Sequence, residues 1–358
     1  MNVGAAAAMG PPVGMRVRLS SNESPFGPSP RAIEAAHRAL IEAHRYCDDQ
    51  ARDLRARLAE LAGTSTSQVA VANGSAAALM EAITYACVGH DDAEVLAFAR
   101  SFVVYRLAAQ NVGARYVEVP GTPSDTPGQP ERRDVASLLA AITPKTRVIA
   151  IDNPGNPTGS HLNGDELAHL IAATPPHIML IIDEAYHHFA DGLQGYQTAA
   201  SLPATHPRLV TAHTFSKAYA LAGMRIGVLH GSEHVISEID ARRPRFNVTA
   251  PAQAAALASL DDTDHLVFTV KASIAGRERL AAGLAAMNVK YTEGLGNFVA
   301  VDFGVAADPV IAAYAQHGVG IRTLVPYGMP HQARVSVGTD DEVDAFLLAT
   351  HELAASFR

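Results

Sequence analysis

With 358 residues the chain is too long for one small core, and its length predicts a large domain beside a smaller one. A hydrophobic share of 48% against 18% charged residues excludes a disordered or fibrous chain, and a net charge of −8 argues against a general nucleic-acid binder or a protein docking on anionic membranes. Two cysteines, Cys47 and Cys87, show neither metal-ligand spacing nor a disulfide framework, so a reducing compartment and no metal are expected.

Residues 1–15 hold an alanine run but also Pro11 and Pro12, and they lack the basic residues and long apolar stretch of a secretory signal. The longest apolar strand-like run, Ile178 to Ile182, is far too short to span a bilayer, so no membrane association and a cytoplasmic location are expected. Leu19 to Pro30, rich in Ser, Pro and Asn and without periodicity, reads by itself as a flexible arm. Tyr46, in Arg45-Tyr46-Cys47-Asp48, reads as an aromatic flanking a helix.

From there to about Arg242, short β-branched runs alternate with Ala/Leu-rich amphipathic stretches, the mark of βαβ units on a largely parallel sheet. Strands are predicted at Val69–Ala72, Glu94–Ala97, Ala114–Glu118, Val148–Ile151, Met179–Ile182, Leu209–His213 and Ile226–Leu229, with helices between them. Pro120 to Arg133, with its Pro, Gly, Thr and Asp, reads as a surface loop. Arg242, Arg243 and Arg245 read as a solvated face in preference to an extra anion contact. Beyond them, long helices at Pro251–Leu260 and Val267–Met287 precede strands at Phe298–Val301, Ile321–Thr323 and Arg334–Val337, the pattern of a separate α+β domain. The expected division is an N-terminal arm with part of the small domain at 1–45, a large α/β domain at 46–245 and a small C-terminal domain at 246–358.

The most informative segment is Thr214-Phe215-Ser216-Lys217-Ala218-Tyr219-Ala220-Leu221-Ala222-Gly223-Met224-Arg225, directly after a predicted strand. A lysine held beside an aldehyde with its ammonium form disfavoured becomes a Schiff-base nucleophile. The hydroxyls of Thr214 and Ser216 and the guanidinium of Arg225 can together hold one phosphate dianion. One small anionic cofactor, pyridoxal 5'-phosphate (PLP), accounts for all four; the plainer reading is a surface lysine in a Ser/Thr-rich turn.

Ile181-Ile182-Asp183-Glu184-Ala185-Tyr186 ends an apolar strand in a carboxylate, where α/β folds bind ligands. PLP needs an anion against its pyridine nitrogen to act as an electron sink, which suits Asp183 unless it merely caps a helix. Tyr186 suits the cofactor's ring oxygen, and Glu184 has no assigned role. Asn156, in Asp152-Asn153-Pro154-Gly155-Asn156-Pro157-Thr158-Gly159, would direct an amide donor at the same oxygen from a turn fixed by its prolines and glycines. Asn73-Gly74-Ser75-Ala76-Ala77 feeds a helix, so Ser75 and Ala76 offer unpaired N–H groups to a phosphate, or the turn only caps the helix. Phe102 is placed to stack on the pyridine face, or is core.

Together these segments resemble PLP-dependent fold-type I aminotransferases, and most closely the histidinol-phosphate aminotransferase family with its aromatic aminotransferase relatives. The resemblance runs from Leu19-Ser20-Ser21-Asn22-Glu23-Ser24-Pro25-Phe26-Gly27-Pro28 to Arg334-Val335-Ser336-Val337-Gly338-Thr339. It implies a mostly parallel seven-stranded sheet in the large domain, Lys217 as the Schiff-base lysine, and Asp183 on the pyridine nitrogen. Asn156 and Tyr186 would serve the ring oxygen, and Ser75, Ala76, Thr214, Ser216 and Arg225 the phosphate. Arg45-Tyr46-Cys47-Asp48 looks like the family's Tyr-Pro-Asp motif, which implies a homodimer in which Tyr46 reaches the neighbouring subunit's phosphate. Arg334 matches the arginine that clamps the substrate's terminal anion, Arg322 falls near a second anion-binding arginine, and Asn22 would lie on an arm folded over the substrate.

The chain departs from the family pattern in several places. Cys47 replaces a proline, Gly155 interrupts a double asparagine, Ala76-Ala77 stands for Asp-Glu, and Arg100-Ser101-Phe102 replaces Pro-Thr followed by an aromatic. None removes a catalytic group. The implied reaction moves an amino group from histidinol phosphate or an aromatic amino acid to a 2-oxo acid such as 2-oxoglutarate, with freed Lys217 carrying the proton. The same cofactor also serves decarboxylation, cyclisation or oxidation, the competing reading. A PLP-binding regulator would need a DNA-binding extension for which a match beginning by Leu19 leaves no room. A nicotinamide dehydrogenase would need a Gly-x-Gly-x-x-Gly loop, which no predicted strand carries.

Overall fold

The computed structural model describes residues 16–193, 195–203 and 205–357, and among them the strands are β1 (Val17–Arg18), β2 (Val69–Ala72), β3 (Glu94–Phe98), β4 (Arg115–Val119), β5 (Thr146–Asp152), β6 (Met179–Asp183), β7 (Leu209–Thr214), β8 (Gly227–Gly231), β9 (Lys290–Glu293), β10 (Phe298–Asp302), β11 (Val319–Gly320), β12 (Arg322–Thr323) and β13 (Gln332–Ser336). Seven of them form one sheet in the order β2-β8-β7-β6-β5-β3-β4, parallel except for β8, which runs antiparallel to both neighbours. Strands β3 and β6 are buried along their whole length, which is why they read as continuous apolar runs without alternation.

Helices cover both faces of this sheet. On one, helix Ser75–Cys87 and helix Val104–Asn111 bury Leu79, Ile83, Tyr105 and Ala108 against Val95, Ile181 and Val210. On the other, helix Gly164–Ala173 sets Leu167, Leu170 and Ile171 on Ile149, Ile151, Leu180 and Ile182. That helix starts where it does because Asn163 and Glu166 bond each other's backbone N–H groups.

A second, antiparallel sheet has the order β12-β13-β10-β9. Its apolar residues Val299, Val301, Ala333 and Val335 share a core with Leu280 and Leu284 of helix Thr263–Ala286, Tyr314 of helix Ala307–Gln316 and Phe346 of helix Asp340–Leu353. Helix Thr263–Ala286 begins a turn earlier than the apolar pattern predicts, because Asp262 caps it by accepting from the His265 N–H. Strand β9, absent from the sequence reading, is an edge strand whose Lys290 and Glu293 break the apolar pattern.

Helix Pro30–Leu40 and helix Ala250–Leu260 pack on β2 and β8, sharing a core of Ala32, Ala36, Ala252 and Ala256 with Val69, Val71, Ile226 and Val228. Both helices lie outside residues 46–245, yet their apolar faces belong to the larger sheet. No helix among the described residues is long and apolar enough to cross a membrane.

Three local readings are corrected. Leu19–Pro30 is not a flexible arm at its start: β1 pairs with β11, the Ser336 N–H donates to the Leu19 carbonyl at 2.9 Å, and Leu19 and Asn22 are buried. Backbone pairing to the second sheet does what the segment's own composition does not. The 120–133 loop is surface only up to its end, where Arg133 turns inward to pair with Asp152 at 2.7 Å. The arginines at 242–245 are not uniformly a solvated face. Arg243 is buried between Asp49 (3.2 Å) and Asp240 (2.7 Å), whereas Arg242 and Arg245 remain in solvent.

Candidate active site

The carboxyl ends of β5, β6 and β7 open into a cavity of about 510 Å³, closed on the far side by the Ser21–Glu23 segment, β12 and Arg334 of β13. Thirteen of the fourteen residues singled out from sequence line it: Asn22, Ser75, Ala76, Phe102, Asn156, Asp183, Tyr186, Thr214, Ser216, Lys217, Arg225, Arg322 and Arg334. Tyr46 does not. It is 84% exposed and stacks on Phe246 with ring centroids 4.5 Å apart.

At one end lies the N-terminus of helix Ser75–Cys87, whose first residues have no side-chain cap. Gly74 before it has φ +88, and a Cβ there would stand 3.0 Å from Cζ of Arg225 and nearer still to a guanidinium nitrogen. The missing side chain is therefore what lets Arg225 lie across the helix end. Arg225 donates to the Ala222 carbonyl at 3.0 Å and to Ser216 Oγ at 3.4 Å, and Thr214 Oγ1 accepts from the Ser216 N–H at 3.1 Å. No carboxylate pairs with Arg225 among the described residues. Free N–H groups, hydroxyls and an unneutralised guanidinium at a helix N-terminus form an anion cradle, which fits the phosphate expected from the resemblance.

In the middle, Asp183 is fully buried. Its carboxylate accepts from the Tyr105 hydroxyl at 3.1 Å and the Ala185 N–H at 3.2 Å. Burial, with the Asp152 carboxylate next in effect, raises its pKa to about 7. A protonated pyridine nitrogen is the kind of partner that would offset both causes. Lys217 is half-buried, its Nζ donating to the Ser21 carbonyl at 3.1 Å and standing 5.8 Å over the Tyr186 ring. Burial, helped by Arg334 and Arg225, lowers its pKa to about 7, so a large share of the amine is neutral and nucleophilic near pH 7.

Tyr186 and Asn22 meet through an Asn22 Nδ2 to Tyr186 Oη bond of 2.9 Å, and burial raises the phenol to about 12. Asn22 is held in turn by Ser336 Oγ, which accepts its N–H at 2.7 Å and donates to its Oδ1 at 2.9 Å. Phe102 lies four residues past β3, just before helix Val104–Asn111.

The other end carries Arg334 and Arg322. Arg334 is buried, donates to Asn156 Oδ1 and, at 2.9 Å, to the Ser20 carbonyl, and its Nε has no partner among the described residues. No ion pair neutralises it among the described residues either, so the cavity wall carries a buried cation. Arg322 is half-buried, with its Nε on the Ser20 carbonyl at 3.1 Å. Sequence reasoning missed Tyr105, Asp152 with Arg133, Arg106 and Tyr327. Asp152 had a usable signal, an acid at the carboxyl end of a buried strand, the same one that marked Asp183. Tyr105 and Arg133 had none. No cluster of His, Cys, Asp and Glu among the described residues is arranged to hold a metal ion.

Comparisons with known proteins agree with this geometry. The family described as aminotransferase class I and II matches residues 15–349. The chain is 37% identical over 334 residues to histidinol-phosphate aminotransferase 2 of Methylococcus capsulatus, covering 93% of this chain and 89% of that protein. It is 36% identical to histidinol-phosphate aminotransferase 2 of Pseudomonas aeruginosa, covering 95% and 89%. Among solved structures it resembles the histidinol-phosphate aminotransferase of Sinorhizobium meliloti in complex with pyridoxal-5'-phosphate, with a TM-score of 0.84, 29% identity and coverage of 96% and 92%.

Proposed function

This chain belongs to the class I and II aminotransferases, and on that premise we propose that it moves an amino group between histidinol phosphate or an aromatic amino acid and a 2-oxo acid such as 2-oxoglutarate, using PLP held by Lys217, in a homodimer. The observation that carries this reading is the pairing of two groups in one cavity: half-buried Lys217, with its amine shifted to about 7, and buried Asp183, with its carboxylate raised to about 7. The two ends of that cavity present Arg225 and Arg334, neither of which is in an ion pair among the described residues.

Bound there, PLP supplies a carbonyl that condenses with amines and a ring that takes up the electrons of a deprotonated α-carbon. Asp183 would hold a proton on the pyridine nitrogen. Ser75, Ala76, Thr214, Ser216 and Arg225 would receive the phosphate, and Asn156 and Tyr186 would serve the ring oxygen. Phe102 would cover a ring face. Lys217 Nζ would be the group that carries the proton of the substrate's α-carbon. Arg334, with Arg322 beside it, receives the carboxylate or phosphate at the substrate's end, which orients the α-carbon toward Lys217. Asn22, tied to Ser336, keeps the Ser21–Glu23 segment over the site and excludes water.

Exposed Tyr46 and its stacking partner Phe246, with Leu40 and Ile41 also exposed, support a second copy of the chain as the group that covers them. Tyr46 would then contact the phosphate in the partner's cavity. The test is a panel of purified protein, PLP and 2-oxoglutarate with histidinol phosphate, phenylalanine, tyrosine, histidine and arginine. Histidinol phosphate or an aromatic donor should bleach the absorbance of the bound cofactor, and 2-oxoglutarate should restore it. If no amino donor does so, the transamination reading fails. A monomer by light scattering would remove the role of Tyr46.

A further inference from the structure

Asp152 takes no part in the chemistry above, yet its carboxylate is buried at the end of β5, directly beside Asp183 in the β5–β6 register. Its Oδ2 accepts two backbone N–H groups, from Phe102 at 3.0 Å and from Asn156 at 2.8 Å. Its Oδ1 accepts from Arg133 Nη2 at 2.7 Å, and Arg133 Nη1 bonds the Asp152 carbonyl as well. Arg133 Nη2 also lies 3.4 Å from Ser101 Oγ, and its guanidinium sits 5.3 Å over the Phe98 ring. The two charged side chains are 1% and 3% exposed, so this is an ion pair taken wholly out of water.

Two departures from the family pattern meet at this pair. Gly155, which interrupts the double asparagine, has no room for a side chain. A Cβ there would stand 2.8 Å from Cζ of Arg133 and closer to Nη2. Ser101, in the segment that replaces Pro-Thr, is the hydroxyl that Arg133 reaches. A buried ion pair is weak as a source of stability, because desolvation offsets much of the attraction. Its two bonds to backbone N–H groups, by contrast, join two loops that are otherwise separate in the chain.

We propose that Asp152, held by Arg133, is a positioning residue: one carboxylate oxygen fixes the backbone of Phe102 and Asn156 together, so that the ring of the first and the amide of the second meet the cofactor in one arrangement. Gly155 is the concession that lets Arg133 in. This rests on the PLP reading above, with Phe102 on the ring face and Asn156 on the ring oxygen. Asp152 touches neither cofactor nor substrate in that reading and acts only through those two residues. Its charge also stands opposite Asp183, where it is the second cause of that group's raised pKa.

The experiment compares full-length wild type with Asp152→Ala, Asp152→Asn and, as a control away from the pocket, Glu184→Gln. Two quantities are read: the dissociation constant of PLP from a titration of apo-protein, and the circular dichroism of the bound cofactor's absorbance band, which reports how the pocket holds the ring. For Asp152→Ala, PLP binding should weaken about tenfold, as expected for losing two hydrogen bonds to a charged acceptor, and the induced band should lose intensity. Asp152→Asn keeps an oxygen for the two N–H groups and should recover part of both losses. Glu184→Gln should leave both unchanged. Should Asp152→Ala not fold, Arg133→Gln carries the test, with changes of the same sign and smaller size. A dissociation constant within about twofold of wild type together with an unaltered induced band, in whichever variant folds, would overturn the proposal. Failure of wild type itself to bind PLP would instead overturn the reading on which it rests.

Discussion

The two faces of the sheet at the carboxyl ends of β6 and β7 are built from alternating residues of the same strands, yet they treat charge in opposite ways. Asp183 and Thr214 face the cavity; Glu184 and His213 face the rear. Burial is equally deep for the two acids, at 2% and 0% exposure. Among the described residues Asp183 is hydrogen-bonded by a neutral hydroxyl and one N–H, and burial pushes it up to about 7. Burial also acts to raise Glu184. There, however, His213 Nε2 at 2.8 Å and the Ala199 N–H at 2.7 Å more than offset it and hold the carboxyl below its usual range. Around Glu184 the rings of His187, His188, His213 and His230 stack at 3.8 to 5.3 Å, with burial lowering His187 and His230 to about 4. The acid on the rear face is satisfied within the fold, whereas the cavity face is left short of counter-charge. A fold retains such a deficit where a ligand makes it good.

The sharpest break in this contrast is Lys217→Ala. Removing both the attacking amine and the proton carrier should lower turnover on the order of 10⁴-fold, while the phosphate contacts still bind PLP, measurable by coupled assay beside a binding titration. Turnover close to wild type would remove the cavity face from the chemistry. Asp183→Asn comes next. The amide keeps the shape and loses the charge, so kcat should fall by roughly 10²–10³ with the same cofactor bound.

The same substitution should stabilise the apo-protein. The folded pKa of Asp183 lies above the unfolded value of about 3.9, so the folded state binds the extra proton between these values and loses stability as pH rises through about 7. Asn escapes that loss. Apo Asp183→Asn should melt higher than apo wild type at pH 8, with the gap closing as pH falls toward 4, read by scanning fluorimetry.

How far this contrast could be read without coordinates differs between its two halves. The seven large-sheet strands fell where β-branched runs predict them, most plainly β3 and β6, whose burial along the whole length gives an unbroken apolar signal. Lys217 and Arg225, spaced eight residues apart after one strand, and Asp183, an acid at the end of another, were legible as residues of one site, and all three line one cavity. The rear face was not legible. Glu184 follows Asp183 directly, and only the register of β6 on β7 decides that it meets His213. Arg133 lies in a loop of Pro, Gly and Thr that reads as solvent-exposed, and its burial depends on Asp152 and on the absence of a Cβ at Gly155. Long-range pairings of this kind leave no periodicity in the chain. Tyr46 lies at the other extreme: the resemblance assigns it a role, but in a single copy of the chain it is exposed and stacks on Phe246 at 4.5 Å.

The smallest expected effect is also the one that separates the two faces by sign. Glu184→Gln keeps an acceptor for the Ala199 N–H and loses the charge that meets His213, so at pH 7 it should destabilise the apo-protein by about 1–2 kcal/mol. Because the folded carboxyl lies below its unfolded value of about 4.3, its stabilisation is present at neutral pH and disappears as pH falls through the folded value. The gap between wild type and Glu184→Gln should therefore narrow in acid. Adjacent residues of one strand thus give opposite outcomes at neutral pH: Asp183→Asn melts higher and loses turnover, while Glu184→Gln melts lower and keeps it. If Glu184→Gln instead raises the melting temperature at pH 7, the rear charges are not mutually satisfied and the two faces do not differ in the way their hydrogen bonds indicate. If it lowers kcat as far as Asp183→Asn does, the rear face belongs to the site after all, with His213, the residue before Thr214, as the connection between them.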